Sequence, residues 1–347
     1  MEAPVSSGSV LQQFFASYGN LVPFEAWMEQ ALYHPHLGYY IHGISDIGPK
    51  GDFSTSATLG PLLGEAIAAW LMESKQQLFP RGEWHIIELG GGNGRMAESV
   101  LKNLSWWQRR KLHYHIVEIS PVLQAMQKER LRKWQRVIWH SSIRDALLAA
   151  KNEAFIFSNE FVDAFPCEIF QKTEAGWEKL FLQLDIKNQI LETWQPAPNL
   201  PVSSIFEIDS VQKKGQRVET HVSYGSWLQE WSPLWKKGSM LTIDYGANAE
   251  MLYYRKPYGS LRAYFQHIRL EGPELYHRFG KQDITADVNF TDLQHFGEKS
   301  GWKQKFFISQ GDFVKQYASP EPSILADSMT AEDGMGTAFQ VLCMDHK

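Results

Sequence analysis

The chain has 347 residues, enough for one large domain with insertions or for two domains. With 44% hydrophobic and 21% charged residues it has the make-up of a globular protein, and a net charge of −5 argues against a nucleic-acid binder relying on overall phosphate neutralisation. Two cysteines, Cys167 and Cys343, exclude a disulfide framework and a four-ligand zinc site, and His34 and His36 have no Cys or acidic companions, so no metal site is expected.

Residues 1–10 are rich in Ser, Gly and Pro. Leu11, Phe14, Phe15 and Tyr18, then Phe24, Trp27, Met28 and Leu32, predict two short helices with a break at Asn20 to Phe24, and Pro23 suits a helix start. An aromatic, His- and Gly-rich loop, LYHPHLGYYIHG, occupies 32–43. Ser54, Thr55, Ser56 or Thr58 then caps a helix running to about Leu71. Residues 1–80 read as a helical cover over the mouth of a site. They hold no arginine before Arg81 and no basic start with a long apolar core, so neither a mitochondrial nor a secretory leader is expected; the expectation is a cytoplasmic protein. No run approaches the ~20 apolar residues of a membrane span.

The stretch HIIELGGGNGRMAESV at 85–100 organises the rest of the chain. Ile86 and Ile87 end a buried-strand run, and Met96, Ala97, Val100 and Leu101 fall at helical spacing. Between them stand Gly90, Gly91, Gly92 and Gly94. Without a Cβ such a turn can take positive φ and lie flat against a ligand, at a helix start that favours negative charge. The spacing, Glu88 with Gly90, Gly92 and Gly94, differs from the dinucleotide GxGxxG and from the phosphate loop. An acidic strand end suits a ligand with cationic groups, and S-adenosylmethionine carries an ammonium and a sulfonium. The next strand, LHYHIVEIS at 112–120, ends in Glu118 and Ile119; an acid at that tip holds a ribose diol through both hydroxyls.

Alternation then continues: helix 94–104, strand 112–119, helix 121–133, strand 136–140, helix 143–150 and strand 154–158, ending at Asn159 and Glu160. This is an α/β, Rossmann-like parallel sheet with helices on both faces. From Pro166 to Trp194 the period becomes two, like antiparallel hairpins with Gly176 at a turn, so 166–235 reads as an inserted β-hairpin and helical segment, with a helix carrying Trp227, Leu228 and Trp231. The sheet resumes at SMLTIDYG, 239–246. The core is thus 81–165 plus 236–347, and the aromatic, basic, loop-rich 247–285 reads as a substrate lid within it. A helix at 291–299, a strand at 302–309 and an edge strand at 339–344 close the chain.

Taken together, the chain resembles the MidA family of class I methyltransferases, whose mitochondrial members assist respiratory complex I assembly. The stretches that carry the resemblance are ALYHPHLGYY (31–40), GDFSTS (51–56), ELGGGNGR (88–95), VEISP (117–121), SNEFVDAFP (158–166), LTIDYG (241–246), GSLRAYFQH (259–267), QDITADVNF (282–290) and GMGTAFQVL (334–342). SNEFVDAFP and QDITADVNF are the specific ones, since the fold requires neither. The resemblance implies methyl transfer from S-adenosylmethionine to an arginine of a partner protein, symmetric dimethylation in eukaryotic members. It implies cofactor contacts at Glu88, Gly90, Gly91, Gly92, Gly94, Glu118, Ile119, Asn159 and Glu160, with Asp52, Phe53 and Thr55 expected to close over the methionine end.

For the acceptor, the strand ends supply Glu160 and Asp163 as carboxylates to hold a guanidinium, Asp163 serving equally well as a helix cap. Asp244 ends the next strand and faces the same crevice. His267 is a lid base or a packed aromatic neighbour, and Asp283 a site acid or a helix cap. Three other readings stay open: a small-molecule methyltransferase, a non-catalytic cofactor-binding assembly factor, and a dinucleotide-dependent oxidoreductase. The sequence leaves the methyl acceptor, the oligomeric state and the segment 313–330 unassigned.

Overall fold

The computed structural model describes residues 7–44, 60–266, 268–318 and 338–346. The central sheet is built from β1 (Trp84–Leu89), β2 (Leu112–Val117), β3 (Val137–His140), β4 (Phe155–Asn159), β5 (Gly238–Ala247), β6 (Lys303–Ser309) and β7 (Phe339–His346). Their order is β3-β2-β1-β4-β5-β7-β6. β1 to β5 pair in parallel, and β7 runs antiparallel to β5 and β6. Val288–Asn289 extends the end of β5 by a short parallel pairing.

The reason these runs form inner strands is visible in their burial. Ile86, Ile87, Phe155, Ile156 and Phe157 are fully enclosed, so both faces of the strand carry apolar side chains. One face is covered by the helices Gly60–Leu78, Arg95–Asn103 and Gln310–Tyr317, through Trp70, Val100 and Phe313. The other is covered by Ile143–Ala149, Val222–Trp231 and Phe290–Lys299, through Leu147, Trp231 and Leu293. Side-chain caps fix several starts: Ser120 before Pro121–Leu131, Ser142 before Ile143–Ala149 and Asn289 before Phe290–Lys299.

Two smaller antiparallel sheets lie beside this frame. In the first, Trp177–Leu184 pairs with Val22–Pro23, Glu168–Lys172 and Ile190–Pro196, and Glu168–Lys172 pairs in turn with Arg217–Thr220. Gly176 closes the first hairpin at φ +139°, a conformation that favours glycine. In the second, Arg262–Phe265 lies between Ile268–Leu270 and Asp283–Thr285. The helix Phe24–Tyr33 ties both together in one apolar cluster with Trp27, Leu180, Ala263 and Ile284.

Several expectations need correction. Residues 217–220 form a strand before the helix at 222–231; only four residues long and polar in pattern, it is held by register against Glu168 to Gln171. The segment 247–285 holds a short helix and three strands whose inward residues, Ala263, Leu270 and Ile284, are buried. Within 313–330, residues up to Tyr317 continue the helix Gln310–Tyr317, with Phe313 and Val314 under the sheet; 319–330 lie outside the described residues. The helix beginning at Gly60 reaches Leu78, past Leu71, and its proposed caps at 54–58 also lie outside the described residues.

Candidate active site

A cavity of about 1620 Å³ opens at the carboxyl ends of β1, β2, β4 and β5, where open α/β sheets bind ligands. Its floor is the glycine turn. Gly90 and Gly92 take φ of +64° and +51°, and the Gly90 N–H donates to the Val117 carbonyl at 3.0 Å. A Cβ on Gly90 would stand 2.8 Å from the Phe161 ring, and one on Gly91 2.8 Å from Ile116. The turn therefore packs against Phe161 and Ile116 only because it lacks side chains. From behind, Gln127 Nε2 donates to the Gly92 carbonyl at 2.7 Å and Arg130 Nε to the Asn93 carbonyl at 2.8 Å. Gly94 caps the next helix at φ +79° and closes the turn onto Gly91; it does not line the cavity.

Two buried acids flank this floor. Glu88 is 3% exposed, and Tyr114 Oη donates to its Oε2 at 2.8 Å. Burial pushes the Glu88 carboxyl up to about 8; the Tyr114 hydrogen bond opposes the shift and the Glu118 charge adds to it. Glu118 is raised to about 7 by burial, against hydrogen bonds from the Ser120 N–H at 2.9 Å and Gln127 Nε2 at 3.0 Å. Shifts of this size on two acids in one cavity mark it as a functional site. Ile119, half exposed, lines the cavity next to Glu118.

The loop after β4 forms the far wall. Asn159 Nδ2 donates to Glu160 Oε1 at 3.1 Å, while Asn159 Oδ1 is buried without a hydrogen-bond partner. Glu160 has φ +53°, rare for a residue with a Cβ, and its N–H donates to the Ile243 carbonyl at 3.0 Å. Strain of this kind concentrates at functional sites. Asp163 is 5% exposed; burial, then the Asp244, Asp283 and Glu160 charges, hold its carboxyl well above the usual range, with Arg262 opposing.

Asp244 departs from expectation. Fully buried, it does not line the cavity. Its Oδ2 accepts from the Phe161, Val162 and Asp163 N–H groups at 3.1, 2.8 and 3.4 Å, and Oδ1 accepts from its own neighbour Tyr245 N at 2.9 Å. Three converging amides make Asp244 the clamp that shapes the loop. Asp283 is no helix cap either, since Asn289 takes that role; it lies on a strand in the cavity wall, with Tyr40 Oη donating to its Oδ1 at 2.7 Å. Asp52, Phe53, Thr55 and His267 lie outside the described residues.

The structure thus brings Glu88, Gly90 to Gly92, Glu118, Ile119, Asn159, Glu160 and Asp163 around one space. Sequence reasoning missed Tyr33, Tyr40 and Arg262 there. The Tyr33 and Tyr40 rings stack 5.5 Å apart, and Arg262 is paired with Asp287 Oδ1 at 2.6 Å. The irregular loop containing Tyr40 was the available signal. The hydrogen bond from Ala286 N to the Asp163 carbonyl, 3.1 Å, joins SNEFVDAFP to QDITADVNF.

A sheet ordered β3-β2-β1-β4-β5-β7-β6, with a bare glycine turn after β1 and an acid at the tip of β2, is the frame of a class I methyltransferase. The chain belongs to the family described as "putative S-adenosyl-L-methionine-dependent methyltransferase", whose model matches residues 66–308. It is similar to the zebrafish mitochondrial protein arginine methyltransferase NDUFAF7, 26% identical over 90% of this chain and 81% of that one. The Drosophila melanogaster homolog is also 26% identical, over 93% of this chain and 81% of its own. Among solved structures, a Burkholderia thailandensis protein bound to S-adenosyl-homocysteine superposes with a TM-score of 0.85 at 24% identity, covering 99% of this chain and 95% of that one. These findings bear out the resemblance. They overturn the cytoplasmic expectation, because the relatives are named as mitochondrial proteins.

The cavity suits the family's cofactor. Gly90, Gly91 and Gly92 present backbone to it without side chains, two acids flank it, and the unpartnered Asn159 Oδ1 supplies a buried acceptor.

Proposed function

We propose that the protein methylates an arginine guanidinium of a partner protein. Glu88, Gly90 to Gly92, Glu118, Ile119 and Asn159 hold the cofactor, which supplies a methyl group on a sulfonium. The observation that carries the acceptor assignment is the acidity of the opposite wall, where Glu160, Asp163 and Asp283 are joined by Glu25, Glu29 and Glu168. Such a wall attracts a cation and repels an anionic acceptor. The relatives' names support the same reading.

Arginine stays cationic at physiological pH, so its nitrogen is a poor nucleophile until its charge is drawn aside. An entering guanidinium counters the acids that raise the Asp163 carboxyl, so Glu160 and Asp163 together grip the planar fork and localise the positive charge away from the attacking nitrogen. The bound cofactor would supply the methyl group to this nitrogen and remain as a thioether, and the proton lost from the nitrogen would pass to a carboxylate of this wall or to water. Asp244 acts through the loop it clamps, by keeping Glu160 and Asp163 in place.

The test is incubation of the protein with methyl-labelled S-adenosylmethionine and a lysate of its source cells, followed by mass spectrometry. Methylarginine in a protein is the expected product. Label confined to lysine or to small molecules refutes the proposal.

A further inference from the structure

The acceptor side of the cavity is closed by the strand Asp283–Thr285, and the two residues it turns inward are polar. Asp283 and Thr285 are each 4% exposed and stand two apart, so they share one face of the strand. Tyr40 fixes the Asp283 carboxylate through its 2.7 Å hydrogen bond. Thr285 Oγ1 is buried in the wall with no hydrogen-bond partner, an arrangement that a ligand's donor would relieve. Asp163 enters from the loop after β4 at a position set by the Ala286 N–H on its carbonyl. Tyr33 stacks on Tyr40 at an interplanar angle of 21° and is anchored by its hydroxyl on the Ala164 carbonyl at 2.9 Å, giving the pocket a flat aromatic side.

Carboxylates, a hydroxyl and a ring suit one kind of cation. A guanidinium carries five donors in a plane and two faces that pack on rings, whereas an ammonium is a compact, strongly hydrated charge with three tetrahedral donors. The same cavity already holds a guanidinium this way. Arg262 lies 5.2 Å over Tyr245 and 6.0 Å over Tyr264 while donating to Asp287.

We infer that Asp283, Thr285 and Tyr40 form the recognition face for the acceptor and select a guanidinium over an ammonium, an inference that rests on the arginine reading. Tyr40 is a positioning residue; Asp283 and Thr285 meet the acceptor. Asp163 completes the array from the adjoining loop, which the Ala286 N–H holds beside this strand.

The experiment measures binding to the full chain saturated with S-adenosyl-homocysteine. The probes are the capped pentapeptide acetyl-Gly-Gly-Arg-Gly-Gly-amide and its lysine counterpart. The native protein is expected to prefer the arginine peptide by about tenfold, and Asp283→Asn and Thr285→Val to lose most of that preference, with S-adenosyl-homocysteine affinity unchanged. Should Asp283→Asn fail to fold, Thr285→Val, which nearly keeps the side-chain shape, decides. A native preference that survives intact in the variants overturns this inference and leaves the arginine reading standing. Equal binding of the two peptides by the native protein overturns both.

Discussion

Glu88→Gln should stabilise the ligand-free protein in alkaline solution and weaken it as a cofactor binder. The carboxyl ordinarily titrates near 4.5 and is displaced to about 8 in the folded chain, chiefly by burial. Between these values the folded state keeps a proton that the unfolded state has lost, so stability falls as pH rises through that window. The displacement corresponds to about 5 kcal/mol at full ionisation, of which about 4 kcal/mol has accrued by pH 8. Glutamine has the same shape, still accepts from Tyr114 and carries no charge. Glu118 is raised too, but it is present in both proteins, and its own slope largely cancels in the difference. Urea unfolding of the two proteins at pH 5 and pH 8 reads the effect directly. The variant should match the native protein to within about 1 kcal/mol at pH 5 and exceed it by about 2–4 kcal/mol at pH 8. Calorimetry at pH 8 should show S-adenosyl-homocysteine affinity reduced by about tenfold or more, since the ligand's ammonium loses its counter-charge. No pH-dependent gain together with undiminished affinity would refute the reasoning.

Glu160→Gln should keep cofactor affinity and lose turnover; unchanged turnover removes Glu160 from the mechanism. Gly90→Val places a branched side chain at φ +64° with its Cβ 2.8 Å from the Phe161 ring, and should cost about 2–4 kcal/mol in urea unfolding and abolish S-adenosyl-homocysteine binding. Arg262→Leu leaves Asp287, 8% exposed, with Lys256 as its remaining ion-pair partner, and should lower stability at neutral pH by about 3 kcal/mol. Arg262 and Lys256 hold the Asp287 carboxyl below its ordinary value against the opposing effect of burial. The stabilisation is therefore present above the unfolded value and fades as acid protonates Asp287, so the gap between the two proteins should narrow at low pH; a gap independent of pH would count against the pairing.

Much of the glycine-turn side of the cavity was legible because it is local. A strand, four glycines and a helix start occupy one short continuous stretch, His85 to Val100, and Glu118 stands at the tip of the next strand. The far wall was not, because its parts come from distant stretches of chain. Tyr40 meets Asp283 across 243 positions. Asp244 reads as a strand-end acid like Glu160 until the three amides that converge on it are placed. Arg217–Thr220 has no apolar alternation to betray a strand and takes its conformation from its partner. Asp283 sat a few residues before a helix, the usual place for a cap, but Asn289 stood closer.

The chain leaves β4 at Asn159, on the cavity side of the sheet, and re-enters the sheet at Gly238, at the opposite edge beside the start of β4. Glu153 bridges Lys237, and Gly238 passes so near the Ala154 carbonyl that no side chain would fit between them. The point of re-entry is thereby fixed against the start of β4. The strands between are joined to the helix Phe24–Tyr33 through the Glu25–Lys179–Glu168 ion pairs and place Glu168 in the cavity lining. Sequence change in them can therefore alter the charge that faces the cavity.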